Sequence, residues 1–405
     1  MSTLSRSLLV LAFAASLIAC GGGGGGSSSD TATFPLDTAD TTTTTTTTPE
    51  GTNVQAIVVD GGPTGVPNLA FTSITVCVPG TTQCQTIDDV LIDTGSVGLR
   101  LVPSALASLT LPQQTAAGGD PLYECLRFVD LTHAWGPVRV ADVQIAGLKA
   151  SSVQVQTIGD GSQTEPSACG GGDTTQNLDT VARLGGNGII GVGISGTDCG
   201  TDCGIYQHNL QYYSCTGSGC SDSLADTDIQ VKNPVAYFPT DNNGVILQLP
   251  AVAEGGVASV SGYMIFGIGT RDNNALGSAT VYTLDSSAYL LTGYNGTSYD
   301  NSFVDSGSNG LYFPDATIPT CSSATGFYCP SSTLHLSATL VGRNTDSASI
   351  SFSISNTESL DGSLGAFSDL GGYYSGGFDW GLPFFFGRTV YTGYDTNSDG
   401  PFIAF

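Results

Sequence analysis

Residues 90–99 read VLIDTGSVGL, and much further along the chain residues 302–311 read SFVDSGSNGL. Each stretch is an apolar strand that ends in an aspartate, and a small hydroxyl residue, a glycine and a serine follow. An aspartate at the end of a buried strand is costly unless hydrogen bonds satisfy its carboxylate. The glycine permits a tight turn, and the hydroxyl groups can hydrogen-bond the carboxylate. One such motif occurs in many turns, but its repetition indicates two acids that act together.

The composition of the chain fits a large folded protein and excludes two classes of protein. Of its 405 residues, 40% are hydrophobic, so most of the chain is not intrinsically disordered. Its 35 acidic residues outnumber 10 basic ones, and the formal net charge is -25. Such a chain lacks the basic surface that binds phosphates, so we expect no nucleic-acid partner. At this length, one large or two medium domains are expected.

Short runs rich in β-branched residues recur along the chain, and each is bounded by glycine, proline, asparagine or aspartate. This pattern predicts an all-β fold with many turns. Helical periodicity with caps appears only briefly, for instance at residues 103–109 and 286–291, so we expect few short helices. The predicted strands include residues 54–59, 71–78, 90–92, 138–145, 152–157, 264–268 and 349–354.

The N-terminal residues have the pattern of a bacterial export signal. Residues 1–19 combine Arg6 with a short apolar stretch, and residues 17–20 (LIAC) resemble the lipobox of bacterial lipoproteins. We expect cleavage before Cys20 and lipid attachment there, although an ordinary secretory signal also fits. Residues 20–53 are dominated by glycine, serine and threonine, which predicts a disordered tether. The protein is therefore expected to be lipid-anchored to a membrane of the bacterial cell envelope, at the outer membrane.

Eleven cysteines occur in the chain, and ten remain after Cys20 is set aside. An even number in an exported protein predicts five disulfides, because the compartment is oxidising. Short spacings favour four pairs and leave a fifth, but sequence alone does not fix the pairing. The alternative is a metal site built from the four cysteines between residues 199 and 220, with His208. The favoured pairs are Cys77–Cys84, Cys125–Cys169, Cys199–Cys203, Cys215–Cys220 and Cys321–Cys329.

In its motifs and their order, the chain resembles the pepsin-like aspartic peptidases. The two aspartate motifs are similar to the two catalytic motifs of that family, and the likeness runs from about residue 54 to residue 405. More narrowly, the chain resembles a bacterial lipoprotein branch of that fold, usually described as a domain of unknown function. The other similar segments are residues 101–104 after the first motif, 136–148 in the flap, 187–193 in the first lobe, 262–267 at the start of the second lobe and 382–395 near its end.

The resemblance implies a bilobal double β-barrel with an active-site cleft between its lobes. The first lobe spans residues 54–235 and carries a cysteine-rich insertion at about residues 199–228, and the second lobe spans residues 236–405. A cleft of this kind accepts an extended chain, so a peptide or protein is the expected substrate. The resemblance implies no metal and no cofactor, and we expect a monomer.

By the same resemblance, Asp93 and Asp305 are the catalytic pair. Two carboxyl groups held close together share one proton, and the ionised member activates a water that attacks the peptide bond. The resemblance also implies that Thr94 and Ser306 brace the two turns against each other. The full set of residues expected to support the pair is Thr94, Gly95, Ser96, Ser306, Gly307 and Ser308.

Two features depart from the pepsin-like pattern. Arg100 occupies a place where that family usually has an aromatic residue, and no residue is in register with the flap tyrosine. His133 and Trp135 lie near the expected flap and are the candidates for it, with packing as the other interpretation. These departures support a second hypothesis, a peptide- or partner-binding lipoprotein that keeps the fold without efficient turnover. The first hypothesis is a surface-tethered aspartic endopeptidase.

Overall fold

The structure is a computed structural model that describes residues 49–106, 108–170, 173–206, 210–398 and 400–405. Strands dominate it, and each of the three α-helices within these residues is a single turn. The helices are α1 (Ser167–Gly170), α2 (Val181–Leu184) and α3 (Asp202–Ile205). The strands are β1 (Val54–Asp60), β2 (Leu69–Cys77), β3 (Cys84–Asp93), β4 (Val97–Leu101), β5 (Leu122–Arg127), β6 (His133–Ile145), β7 (Leu148–Thr157), β8 (Gly188–Val192), β9 (Tyr212–Thr216), β10 (Gly219–Asp222), β11 (Gly244–Leu249), β12 (Val260–Phe266), β13 (Val281–Thr283), β14 (Leu290–Tyr294), β15 (Thr297–Val304), β16 (Leu311–Phe313), β17 (Leu334–Val341), β18 (Ser347–Ile354), β19 (Gly371–Tyr373), β20 (Asp379–Trp380), β21 (Arg388–Gly393) and β22 (Phe402–Ala404).

The remaining helical turns are of the 3₁₀ type and connect strands. One of the two predicted helical stretches is such a turn, at Pro103–Leu106. The other prediction, at residues 286–291, is wrong, because β14 begins at Leu290 and pairs with both β15 and β17. The other 3₁₀ turns are Gly62–Thr64, Thr174–Gln176, Pro234–Tyr237, Asp272–Asn274, Thr357–Ser359 and Leu382–Phe385.

The first lobe is a closed barrel. Its strands follow one another in the order β6-β7-β4-β8-β3-β2, and β2 pairs back onto β6 to close the ring. β8 is buried along its whole length, which explains why its sequence is a continuous run of apolar residues and glycine rather than an alternating one. β8 runs parallel to β3 and antiparallel to β4, so the strand that ends in Asp93 lies in the wall of this barrel.

The second lobe is built on a separate sheet with the order β18-β17-β14-β15-β20-β16-β19. Its core is aromatic, and Phe378 stacks on Phe313 and on Trp380 at centroid distances of 5.0 and 4.4 Å. The Trp380 indole N–H also donates to Thr292 Oγ1 at 3.0 Å. This packing fixes β20 next to β15, the strand that leads into Asp305.

A shared sheet joins the two lobes. β1 pairs with β2 of the first lobe on one side and with β12 on the other, and the order continues through β11, β21, β22 and β13. Backbone hydrogen bonds therefore run without a break from one lobe to the other. The predicted all-β, bilobal double-barrel fold is confirmed.

Five disulfides form in the pairing that the sequence favours: Cys77–Cys84, Cys125–Cys169, Cys199–Cys203, Cys215–Cys220 and Cys321–Cys329. The predicted disulfides are thereby confirmed. The alternative metal site is wrong, because all four of its cysteines are consumed in disulfides. His208, its remaining member, lies outside the described residues.

We expect these ten cysteines to give no reaction with a thiol reagent in the unfolded, unreduced protein. Reduction should then expose ten thiols and lower the free energy of unfolding by ~2–5 kcal/mol for each native bridge lost. Thiol titration in denaturant, with and without reductant, measures both states. Four reactive cysteines before reduction would contradict the pairing in the cysteine-rich insertion.

The N-terminal segment enters the fold just before β1. The predicted signal peptide, residues 1–19, and the lipidation site Cys20 lie outside the described residues. Asn53, which the sequence places at the end of the tether, is fully buried, and its amide donates to Phe266 O at 2.9 Å. Within the described residues, no helix has the length and apolar character needed to cross a membrane.

Candidate active site between the lobes

The two aspartate motifs meet where the lobes face each other. Asp93 is the last residue of β3, and Asp305 follows β15 directly. Each strand is held by a parallel neighbour, since Asp93 pairs with Gly191 of β8 and Phe303 pairs with Asp379 of β20. Both aspartates are fully buried. The repeated sequence motif therefore becomes one site.

The glycines of the two motifs allow this close approach. A Cβ atom on Gly95 would lie 2.6 Å from Asp305 Cγ, and one on Gly307 would lie 2.8 Å from Asp93 Cγ. No real Cβ atom tolerates such distances, so only glycine fits either position. Each turn thus packs its glycine against the aspartate of the other turn.

Hydrogen bonds to Asp93 come mostly from its own turn. The Gly95 and Ser96 amides donate to Asp93 Oδ1 at 2.8 and 3.0 Å, and the Ser96 hydroxyl donates to Oδ2. Asp305 has a similar set, with the Gly307 amide donating to Oδ1 at 2.7 Å and the Ser308 hydroxyl to Oδ2 at 2.9 Å. In addition, the Gly95 amide lies 3.1 Å from Asp305 Oδ1 and so contacts both carboxyls.

A second layer of hydrogen bonds ties the turns together beneath the aspartates. The Thr94 amide donates to Ser306 Oγ at 3.1 Å, and the Ser306 amide donates to Thr94 Oγ1 at 2.9 Å. The Ser306 hydroxyl in turn donates to Ile92 O at 2.8 Å. The contacts of Thr94 and Ser306 are reciprocal, so each lobe fixes the position of the other lobe's turn.

The electrostatics of the pair favour one shared negative charge. Burial raises the pKa of Asp93, but hydrogen bonds from Asp305, Ser96 and Gly95 oppose this effect. Burial also raises the pKa of Asp305 well above its usual range, and the charge of Asp93 raises it further. The two carboxyls are therefore expected to share one proton and one negative charge. The two groups titrate as a coupled pair.

A cavity of about 430 Å³ opens beside the first turn. Its wall includes Thr94 and Ser96 of that turn, Leu126 of β5, Asp198, and Ser286 from the second lobe. Residues of both lobes therefore line it. It lies against the turn that follows Asp93, and neither Asp93 nor Asp305 is among the residues that line it.

His133 and Trp135 lie in β6 of the hairpin that β5 and β6 form, and neither lines this cavity. Trp135 is buried, with its ring 5.3 Å from that of Tyr123 and 5.4 Å from that of Tyr213. His133 is also buried and lies 2.9 Å from Glu165. Trp135 therefore packs between two tyrosine rings, and His133 packs against Glu165.

Arg100 occupies a buried charge network that the sequence does not reveal. Its guanidinium donates to Glu124 Oε1 at 2.7 Å and to Asp198 Oδ2 at 2.8 Å, and Tyr212 donates to Asp198 Oδ1 at 2.6 Å. Burial and the charge of Glu124 raise the pKa of Asp198 well above its usual range, while the charge of Arg100 opposes them. The network connects β4, the strand after the Asp93 turn, to the wall of the cavity.

Asp379 is a third buried acid at the site, and sequence analysis missed it. It is fully buried in β20, and burial is the main reason that its pKa is raised well above its usual range. Its charge acts on Asp305. The available signal was an aspartate between Phe378 and Trp380 in an apolar stretch, the same kind of signal that marks Asp93.

Two groups of side chains have metal-ligand spacing within the described residues, and both depend on cysteine. One consists of His133, Glu165 and Cys169, and the other of Cys321, Cys329 and Glu358. All three cysteines are in disulfides, so no thiolate is available to a metal. Both groups are therefore incomplete as metal sites.

The fold and the site define the chain as an all-β, bilobal protein with two buried aspartates at the meeting point of its lobes. The sequence model of the family described as Protein of unknown function (DUF3443) matches residues 49–405, and the chain belongs to that family. No curated protein matches the chain. The expectation of a domain of unknown function is thereby confirmed.

Proposed function

We propose that the protein is an aspartic endopeptidase that resembles the pepsin-like peptidases. The observation that carries this proposal is the reciprocal packing of the two motifs, with Gly95 against Asp305 and Gly307 against Asp93. A fold gains no stability from placing two carboxyls together in its interior without a cation, because both lose hydration and their charges repel each other. Such a pair is explained by chemistry that needs one proton and one charge at the same point.

The geometry supports a mechanism without a covalent intermediate. Asp93, whose charge accepts hydrogen bonds from Gly95 and Ser96, takes a proton from a water held between the two carboxyls. The oxygen of that water attacks the peptide carbonyl, while Asp305 donates its proton to the carbonyl oxygen. Asp93 then donates that proton to the leaving nitrogen, and the C–N bond breaks. Asp305 takes back a proton from a hydroxyl of the tetrahedral intermediate, which becomes the carboxylic acid, and the pair returns to its starting state. The Thr94–Ser306 contacts keep the two carboxyls aligned throughout.

The test is cleavage of acid-denatured serum albumin by the full chain in mild detergent between pH 3 and pH 7, followed by mass spectrometry. We expect internal cleavage with a bell-shaped pH dependence below neutrality, because one proton and one charge are both required. A peptide with a hydroxyl at the scissile carbon should inhibit, and a metal chelator should not. Absence of cleavage across this range would overturn the proposal.

A second candidate function is a peptide- or partner-binding lipoprotein without efficient turnover. The observation that favours it is the complete burial of Asp93 and Asp305, because neither carboxyl is accessible to a substrate in this conformation. In that case the protein would bind denatured albumin without cutting it. Binding that is equally tight when both aspartates are replaced by asparagine would support this candidate.

We propose further that Cys20 anchors the protein to the bacterial outer membrane. A clickable fatty acid supplied to the growing cells should label the wild-type protein and not the Cys20→Ser variant, because a serine cannot form the thioether of a lipoprotein. Gel fluorescence after purification measures the label, and Ser28→Ala in the same segment is the matched control. Undiminished labelling of Cys20→Ser would contradict the lipobox interpretation.

A further inference from the structure

Asp379 is a buried acid next to the aspartate pair that the proposed mechanism leaves unused. It lies in β20 between two strands, opposite Phe303 of β15 and Tyr312 of β16. None of its side chain reaches solvent, and neither carboxylate oxygen has a hydrogen-bond partner among the described residues. An unsatisfied buried carboxylate is strongly unfavourable, so its presence requires an explanation.

The backbone that follows Asp379 holds the Asp305 turn in place. Trp380 O accepts the Asp305 amide at 3.1 Å, and the Leu382 amide donates to Ser308 O at 2.7 Å. The distance from a Cβ on Gly381 to Ser308 O would be only 2.7 Å, so this segment lies directly against the turn. Asp379 therefore has a fixed position relative to Asp305.

Ser308 lies between the two acids. Its hydroxyl donates to Asp305 Oδ2 at 2.9 Å, and it also faces the carboxyl of Asp379. A hydroxyl has one proton to donate, so it cannot serve both carboxylates at once. Ser308 therefore couples the two carboxyls, because its proton can serve either Asp305 or Asp379.

The groups that face Asp379 include no cation within the described part of the chain. The acids are Asp93 and Asp305, and the other titratable neighbours are Tyr312 of β16 and Tyr374 just after β19. Three carboxyls thus occupy one dry site with no positive charge to offset them. Ionisation of any one of them disfavours ionisation of the others.

We propose that Asp379 is a positioning residue that keeps the shared proton on Asp305, so that the pair stays singly protonated to higher pH. This inference rests on the proposed peptidase function. Its physical basis is the negative charge that Asp379 places near Asp305, with Ser308 as the group between them. The charge of Asp379 is one of the causes, after burial and Asp93, that raise the pKa of Asp305.

The Asp379→Asn variant tests this role, because asparagine keeps the shape and the contact with Ser308 but carries no charge. We expect the alkaline limb of kcat/KM to move down by about one pH unit, the usual scale for loss of one nearby like charge. On that limb, kcat/KM should fall about tenfold, while the acidic limb and KM stay unchanged. The full chain in mild detergent with acid-denatured albumin is the assay.

The matched control is Asp369→Asn, which alters another fully buried aspartate of the same lobe. Asp369 is held by the Ser355 hydroxyl at 2.6 Å and the Gly255 amide at 3.0 Å, away from the dyad. We expect this variant to leave both limbs of the pH profile in place. Superposition of the Asp379→Asn profile on that of Asp369→Asn would overturn the inference and leave the proposed peptidase intact.

A second measurement does not depend on turnover. Infrared titration of the protonated carboxyl bands should show one fewer buried carboxylic acid in Asp379→Asn, and the remaining acid should lose its proton at lower pH. If the wild type cuts nothing but the bands behave in this way, the peptidase proposal fails while the coupling of Asp379 to Asp305 stands. Bands that are identical in both proteins would overturn the inference.

Discussion

Replacement of either aspartate of the pair, Asp93→Asn or Asp305→Asn, is expected to lower kcat/KM for peptide cleavage by at least about 10⁴-fold. The reason is that the mechanism needs one charge and one proton at the same point, and an amide supplies neither in the required form. The double variant should be no worse than either single one, because the first change already removes the water-activating geometry. Initial rates on acid-denatured albumin, near the optimum of the wild type, measure the effect.

The control for this result is again Asp369→Asn, which should retain cleavage. Retention of more than about one per cent of the activity in either dyad variant would contradict the assigned roles, because loss of either role is expected to lower kcat/KM by far more than a hundredfold. Equal loss in the control would point to a defect in folding.

The Asp305→Asn variant should also be more stable than the wild type near neutral pH. The folded-state pKa of Asp305 is raised, mainly by burial, so the folded protein holds this proton more tightly than the unfolded chain does. Stability from this group is therefore present at acid pH and is lost as pH rises through the folded pKa. Asp305→Asn removes that loss and should have a higher free energy of unfolding than the wild type at pH 7. Urea unfolding at pH 4 and pH 7 provides the comparison.

Arg100→Met is expected to lower the free energy of unfolding by ~3–5 kcal/mol, because it leaves the buried charges of Glu124 and Asp198 without their partner. The deficit should shrink as pH falls, since the raised pKa of Asp198 lets that group take up a proton and become neutral. Urea unfolding of both proteins across this pH range measures it.

Arg343→Met is the matched control for the Arg100 prediction. Arg343 pairs with Asp285 at 2.8 Å on the surface, where both side chains are about one-third exposed. Such pairs contribute ~0–1 kcal/mol, so this variant should unfold close to the wild type. Adding Glu124→Gln and Asp198→Asn to Arg100→Met should restore most of the lost stability. A similar small effect for both arginines would mean that the buried network does not hold the fold together.

The parts of the fold that the sequence predicts well are those encoded by neighbouring residues. Alternating or continuous apolar runs place the strands, and the observed β1 and β18 begin within two residues of the predicted starts. The aspartate motifs are also local, and their repetition is what indicates a pair. The helix predicted at residues 286–291 is wrong because strand pairing outweighs local periodicity once Leu290 pairs with β15 and Leu291 with β17.

The parts that the sequence does not predict depend on partners distant along the chain. Arg100 stands out as an unusual residue, but its partners are 24 and 98 residues away, and no local pattern identifies them. Trp135 is a plausible flap residue until its neighbours Tyr123 and Tyr213 are known. Asp379 differs from these, because an acid inside an apolar stretch is visible in the sequence.

The shared sheet has a consequence for the order in which the molecule is completed. Synthesis runs from the N terminus, so β1 emerges early, but its partner β12 follows about two hundred residues later, and such long-range pairing is slow. The Thr94 turn gains its partner Ser306 later still, because Ser306 lies further along the chain than β12. In a nascent chain, β1 beside the first barrel therefore still lacks its partner β12, and Asp93 still lacks Asp305. The two aspartate turns therefore come together only after the last third of the chain has been made and has folded back onto the first.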